Sequence, residues 1–191
     1  MNWYYIKKSI IVVLGLKLLF IVQISGLLLI EHMTKKTIKD ETQKTKTLTM
    51  SELIETYALA FGLDPDFVKA LIYAESRFDP QSESHRGARG LMQLMPNTAA
   101  ELAEELDIKD FSVEKLFDPS VNIQLGCYYL SKIQKKLGSD HQVILAAYNA
   151  GPYRVLQWLQ TNDKNLIVST FPYAQTRGYI EKINAYMTEN L

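Results

Sequence analysis

From Leu53 to the end of the chain, apolar residues recur at three- and four-residue intervals. No segment alternates apolar and polar side chains as a half-buried strand would. That spacing confines the body of the chain to packed helices, and the punctuation agrees. Asp64-Pro65 and Asp118-Pro119 each set a capping carboxylate before a proline at the first helical position. Asn97 is placed to cap TAAELAEEL, and Ser139 or Asp140 to cap the segment after Gly138. Gly138 and Gly151 stand where helices should stop. The pattern predicts helices near 51–60, 65–76, 97–106, 119–137, 140–149, 152–161 and 175–189. The longest gap, 77–90, contains FDPQSESHRGARG; loops of that length inside a compact domain are often functional. A body of about 140 residues is enough for one core. The expected class is all-α.

Ser9–Ile30 reads SIIVVLGLKLLFIVQISGLLLI, with one charge, Lys17, and one strongly polar amide, Gln23. About 20 apolar residues span a bilayer as a helix, and a long lysine stem can snorkel to the interface. The run exceeds the usual length of a signal-peptide core, and no small-residue cleavage site follows. Residues 1–30 are therefore read as an uncleaved membrane anchor, a transmembrane helix. Residues 31–50 are polar and cannot bury a core, so they read as a linker. Residues 51–191 form the globular domain. Orientation is contested. Lys7 and Lys8 precede the run, but Lys35, Lys36, Lys39, Lys44 and Lys46 follow it. Positive-inside counting alone would keep the domain in the cytoplasm; the substrate inferred below lies outside, and that consideration is given precedence.

Charge divides along the same boundary. Residues 1–50 hold eight lysines against three acids, and residues 51–191 thirteen basic residues against eighteen acidic ones. An acidic body lacks the basic footprint of a nucleic-acid binder. Cys127 is the single cysteine, within GCYYL, and reads as a buried structural thiol. His85 and His141 stand alone, without metal-ligand spacing. Neither metal nor cofactor is expected.

The helix within DPDFVKALIYAESRFDP carries the chemistry. Val68, Leu71, Ile72 and Glu75 fall at offsets of zero, three, four and seven, so they share one face. Burial disfavours a charged carboxylate and raises its pKa. A glutamic acid protonated near neutral pH can donate to a glycosidic oxygen. On this helix alone, a glutamate turned to solvent is the commoner outcome.

Four further segments change that balance: GLMQLMP at 90–96, LFDPSVNIQLGCYYLSKI at 116–133, AAYNAG at 146–151 and QTRGYIEKI at 175–183. Each is weak alone. In this order, from about Leu53 to Met187, they resemble the catalytic domain of the soluble-lytic-transglycosylase family. Its Glu-Ser pair falls on Glu75 and Ser76, and its Gly-Leu-Met-Gln segment on Gly90, Leu91, Met92 and Gln93. Its Tyr-Asn-Ala-Gly segment falls on Tyr148, Asn149, Ala150 and Gly151, and its Thr-Arg-x-Tyr segment on Thr176, Arg177 and Tyr179. One departure is plain: the family commonly has Glu before Thr-Arg, and here stands Gln175. That puts in doubt an ion pair at this position, not the catalytic acid.

The resemblance implies a lysozyme-like α fold and a peptidoglycan substrate. It implies cleavage of the MurNAc–GlcNAc β-1,4 bond without net hydrolysis, leaving 1,6-anhydromuramyl ends, by a domain on the extracytoplasmic side of the cell membrane. Glu75 is the expected acid and base. Gln93 and Asn149 are expected to offer amides to the sugars, Tyr148 and Tyr179 a hydroxyl and a ring face, with Tyr179 also bonding Glu75. Met92 is expected to line the cleft or pack in the core, and Ser76 to bond substrate or finish the helix. Glycosidases that use water or a protein nucleophile flank the bond with two carboxylates. No second one has a comparable setting: Asp79-Pro80 reads as a turn, and Glu83 as a solvated loop residue. Two rival readings stand beside this one. One is a water-using muramidase of the same fold. The other is a non-catalytic peptidoglycan-binding scaffold of an envelope-spanning assembly.

Overall fold

The computed structural model describes residues 48–190. The apolar run Ser9–Ile30 and the polar stretch up to residue 47 lie outside them. Among the described residues no helix is long and apolar enough to cross a membrane.

The helices are α1 (Met50–Ala60), α2 (Pro65–Ser76), α3 (Pro96–Glu105), α4 (Pro119–Leu137), α5 (His141–Ala150), α6 (Pro152–Leu159), α7 (Ile167–Thr170) and α8 (Ala174–Asn190). Two 3-10 turns, Val113–Phe117 and Lys164–Leu166, join them. Within the described residues β-pairing is confined to two isolated bridges, Glu83 with Arg89 and Arg89 with Leu94. The all-α expectation holds over this span.

Side-chain capping accounts for four of the eight helix starts. Asp64 accepts from the Asp66 N–H at 3.0 Å, with Pro65 at the first helical position. Asp118 accepts from Ser120 at 2.8 Å ahead of Pro119. Of the two candidates before α5, Asp140 caps, accepting from Gln142 and Val143. Asn97 does not cap: α3 begins at Pro96, with Met95 before it and no side-chain cap. Proline has no N–H to satisfy and a fixed φ, so it starts the helix unaided. Thr49 and Glu52 form a reciprocal capping box for α1, so Thr49 and Met50, counted with the linker above, belong to the first helix. Glycines at positive φ, Gly138 and Gly151, close α4 and α5. Helix α2 ends differently. Arg77 and Phe78 are both left-handed, at φ 54° and 64°, without a glycine. Left-handed backbone is disfavoured for such side chains, and here it follows Glu75 by two residues.

Helix α4 runs through the middle and serves two cores. Ile123, Cys127, Leu130 and Ile133 join the larger core with Phe67, Leu71 and Ile72 of α2, Ile144 of α5 and Ile180 of α8. Leu125 joins a smaller core with Leu94, Ala99, Leu102, Ala103 and Leu116. Helix α2 packs against α1 and α8, and α5 against α4, α6 and α8. Burying each large aliphatic or aromatic side chain contributes roughly 1.5–3 kcal/mol. Cys127 is fully buried, and burial pushes its thiol up to about 12. It is a core side chain, as its apolar setting suggested.

Candidate active site

The loop from 78 to 95 has neither helix nor strand to hold it, and two side-chain amides and a phenol hydroxyl do that work instead. Asn122, fully buried on α4, donates to the carbonyls of Arg89 at 3.0 Å and Leu116 at 2.8 Å. Its carbonyl oxygen accepts from the Met92 N–H at 2.8 Å. Gly90 is required beside it. Its φ is +74°, and a Cβ there would lie 2.1 Å from the Leu116 oxygen. Gln93, itself left-handed at φ 48°, donates both amide protons to backbone, to Ser82 at 3.0 Å and Gly90 at 2.9 Å. Tyr148 donates its hydroxyl to the Met92 carbonyl at 2.7 Å.

Glu75 sits in the last turn of α2, on the face whose other members, Val68, Leu71 and Ile72, are fully buried. The Tyr179 hydroxyl on α8 donates to its Oε1 at 2.7 Å. Burial raises the Glu75 pKa to about 7, against the lowering effects of the Tyr179 hydrogen bond and of Lys182. Lys182 lies three residues beyond Tyr179, on the same face of α8, and its ammonium donates to the Ala74 carbonyl at 2.8 Å. The phenols of Tyr148 and Tyr179 are both pushed well above their ordinary range, first by burial and then by the nearby charge of Glu75. A carboxyl balanced near neutrality, with proton-bearing phenols around it, can both give and take a proton in one cycle.

The other expected site residues divide. Asn149 is exposed, and its carbonyl oxygen accepts from Thr176 Oγ1 at 2.9 Å, leaving the amide protons available. Gln93 keeps only its Oε1 for a ligand, since its amide nitrogen serves the loop. Ser76 is buried and its hydroxyl returns to the Ile72 carbonyl at 3.2 Å, finishing the helix. Met92 does not line a cleft: it is fully buried, and its sulfur fills the space beside Gly126, where a Cβ would lie 2.2 Å away. Asp79 accepts from the Gln81 N–H at 2.9 Å in an exposed turn. Glu83 pairs with Arg89 at 3.1 Å in the loop. Two residues escaped the sequence reading. The signal for Asn122 was an amide inside an otherwise apolar helical stripe. For Lys182 it was the one-turn spacing from Tyr179.

A family model described as the transglycosylase SLT domain matches residues 52–169. The chain belongs to this family. It is 33% identical over 152 residues to the soluble lytic murein transglycosylase of Escherichia coli (strain K12), covering 77% of this chain and 24% of that protein. Membrane-bound lytic murein transglycosylase E of Buchnera aphidicola is 31% identical over 125 residues, covering 61% and 57%. Among solved structures, an inactive mutant of the lytic transglycosylase Slt from Pseudomonas aeruginosa aligns with TM-score 0.66 at 36% identity, over 70% of this chain and 22% of that one. The 70-kDa soluble lytic transglycosylase in complex with bulgecin A aligns with TM-score 0.66 at 33% identity, over 71% and 23%. The chain thus spans about a quarter of the soluble relative's length. Its described residues carry the all-helical, lysozyme-like SLT fold.

Proposed function

We propose that this SLT domain is a peptidoglycan lytic transglycosylase. It cleaves the MurNAc–GlcNAc β-1,4 bond and leaves a 1,6-anhydromuramyl end. The observation that carries this reading is Glu75, the one carboxyl among the described residues whose pKa burial raises, balanced at about 7 and held by Tyr179, while Asp79 and Glu83 are engaged in the loop. Protonated Glu75 gives its proton to the glycosidic oxygen as the C1–O bond breaks. The resulting carboxylate takes the proton of the muramyl C6 hydroxyl, and that oxygen closes on C1. The nucleophile comes with the substrate, so no second carboxylate is needed to position water. Holding reacting groups within one molecule can supply as much as about 7–11 kcal/mol of the barrier. The amide protons of Asn149 and Oε1 of Gln93 bind sugar hydroxyls or N-acetyl groups, and Tyr148 and Tyr179 flank the acid. Peptidoglycan strands are the partner. Ser9–Ile30 anchors the chain in the cell membrane, with the domain on the extracytoplasmic side.

Glu75→Gln is nearly isosteric but can neither give nor take the proton. It should retain fold and strand binding and lose roughly 10²–10⁴-fold in turnover. The measurement is release of anhydromuropeptides from purified sacculi, with circular dichroism to verify folding. Asp79→Asn and Glu83→Gln should each cost far less. Near-normal release by folded Glu75→Gln would overturn the assignment. Reducing ends in place of anhydro ends, with comparable losses at Asp79 or Glu83, would make the protein a water-using muramidase.

A further inference from the structure

Helix α2 ends on an irregular turn directly after Glu75, and that turn leaves one carbonyl without a helical donor. The last four carbonyls of a helix have no partner within it; in α2 they belong to Tyr73, Ala74, Glu75 and Ser76. The Arg77 N–H closes on the Tyr73 carbonyl at 3.0 Å, and the Asp79 N–H on that of Ser76 at 3.1 Å. Among the described residues the Phe78 N–H, next in the series after Arg77, makes no backbone bond to Ala74. The left-handed Arg77 and Phe78 turn the chain out of the helical path. The Ala74 carbonyl is taken instead by the Lys182 ammonium of α8 at 2.8 Å, 108 positions further along the chain. One turn earlier on α8, the Tyr179 hydroxyl donates to Glu75 Oε1 at 2.7 Å. Two neighbouring residues of α2 are thus held by two residues of α8, one through its main chain and the other through its side chain.

We infer that Lys182 is a positioning residue for the reaction: it clamps the main chain beside Glu75 against α8, so that Tyr179 meets the carboxyl in one fixed orientation. This rests on the reading above in taking Glu75 as the acid. A single hydrogen bond to Oε1 leaves the carboxyl free to swing about that contact, and a second bond to the adjacent peptide removes the freedom. The gain is large for a group that must give and take a proton, since misplacement by about 1 Å can cost on the order of 10²-fold in rate. Lysine suits the task. Its long stem reaches from α8 to α2, its ammonium carries three donors, and the residue stays exposed, so its charge need not be buried. That charge also favours the carboxylate form of Glu75, against the effect of burial. The titratable groups that act on Glu75 from other faces are phenols. Tyr179 on α8 and Tyr148 on α5 are both held protonated, well above their ordinary range, and Tyr129 on α4 packs its ring 5.4 Å from that of Tyr148. Lys182 is the charged side chain of the set.

The test uses the full chain in detergent carrying Lys182→Met, Lys182→Gln or Lys182→Arg. For each, kcat and KM for cleavage of purified glycan strands are measured across pH. The Glu75 carboxyl is titrated directly by NMR of its carboxyl carbon, the signal being assigned by its absence from Glu75→Gln. Lys182→Met should lose at least about tenfold in kcat with KM unchanged. Its Glu75 titration and the alkaline limb of kcat/KM should both move to higher pH, because a cation that favoured the carboxylate is gone. Lys182→Gln keeps a polar head at an exposed position and should show the same pH displacement. Lys182→Arg, which keeps both charge and donor, should restore the rate and the titration. A lysine that only ties two helices together would lower the thermal midpoint of Lys182→Met and leave kcat and the titration as in the parent; that result overturns the inference. So does a rise in KM at constant kcat, which makes Lys182 a strand contact, or a Lys182→Arg protein no better than Lys182→Met. Unaltered Lys182 variants beside an inactive Glu75→Gln remove the clamp and leave the acid in place. Cleavage by Glu75→Gln at the parent rate overturns both.

Discussion

Glu75 links stability to pH in a direction opposite to that of a salt-bridged carboxylate. Its folded pKa of about 7 lies above the ordinary value of 4.5, so the folded state retains a proton that the unfolded chain releases. Its contribution is complete below about pH 4.5 and is lost as pH rises through 7, at most on the order of 3 kcal/mol. Glu75→Gln, always neutral, should therefore be more stable than the parent at pH 8 and equal to it at pH 4.5. Urea denaturation at the two pH values measures the gap, and no gap at pH 8 would mean that the carboxyl is solvated. Tyr179→Phe removes a hydrogen bond that lowers the Glu75 pKa. The alkaline limb of kcat/KM for anhydro-end formation should move to higher pH. Lys182→Met should shift it the same way by less, as the smaller of the two lowering influences. The face that Glu75 shares with Val68, Leu71 and Ile72 was legible from helical offsets, but its burial was not. On the helix alone a solvent-facing glutamate was the commoner outcome, and the segments resembling the family shifted that expectation. The fate of Met92 was not legible either. Its neighbours fix where the chain passes, but the space its sulfur fills is made by Gly126, thirty-four positions away.

At the scale of elements, helix starts were readable wherever an Asp-Pro pair combined a cap with a pre-set φ. Asn97 misled because Pro96 already started the helix. The one-turn α7 was invisible, since four residues are too few to display a period. The Asn122 network could not be read either, because its partners come from two other segments, the 78–95 loop and the Val113–Phe117 turn. Asn122→Ala would leave the Met92 N–H and the Leu116 carbonyl buried without their partner, while the Arg89 carbonyl keeps the Leu94 N–H. At about 1–3 kcal/mol for each of the two unsatisfied groups, the loss should reach about 2–6 kcal/mol, seen as a lowered thermal midpoint. Gly126→Ala should cost less, about 1–3 kcal/mol for overpacking, because the displaced Met92 side chain is flexible.

For the whole molecule, the helical character of residues 48–190 was legible from apolar spacing, while the apolar run before them lies outside the described residues. The two cores were not legible, because they depend on which faces of α4 meet which neighbours. That helix completes both, so the smaller core cannot exist without it and the described residues should unfold as one unit. Full-length protein should fractionate with membranes, and a fragment of residues 47–191 should be soluble and still release anhydro ends. Protease added outside spheroplasts should remove the domain; protection alongside a cytoplasmic marker would reverse the orientation. The loop between α2 and α3 carries a further consequence. Its shape is set in the free protein by Asn122, Gln93 and Tyr148 rather than by a strand or helix of its own. A glycan strand that meets it encounters a surface with little conformational freedom left to surrender. Association there should carry a small entropic penalty, and its rate should follow diffusion and docking rather than loop closure.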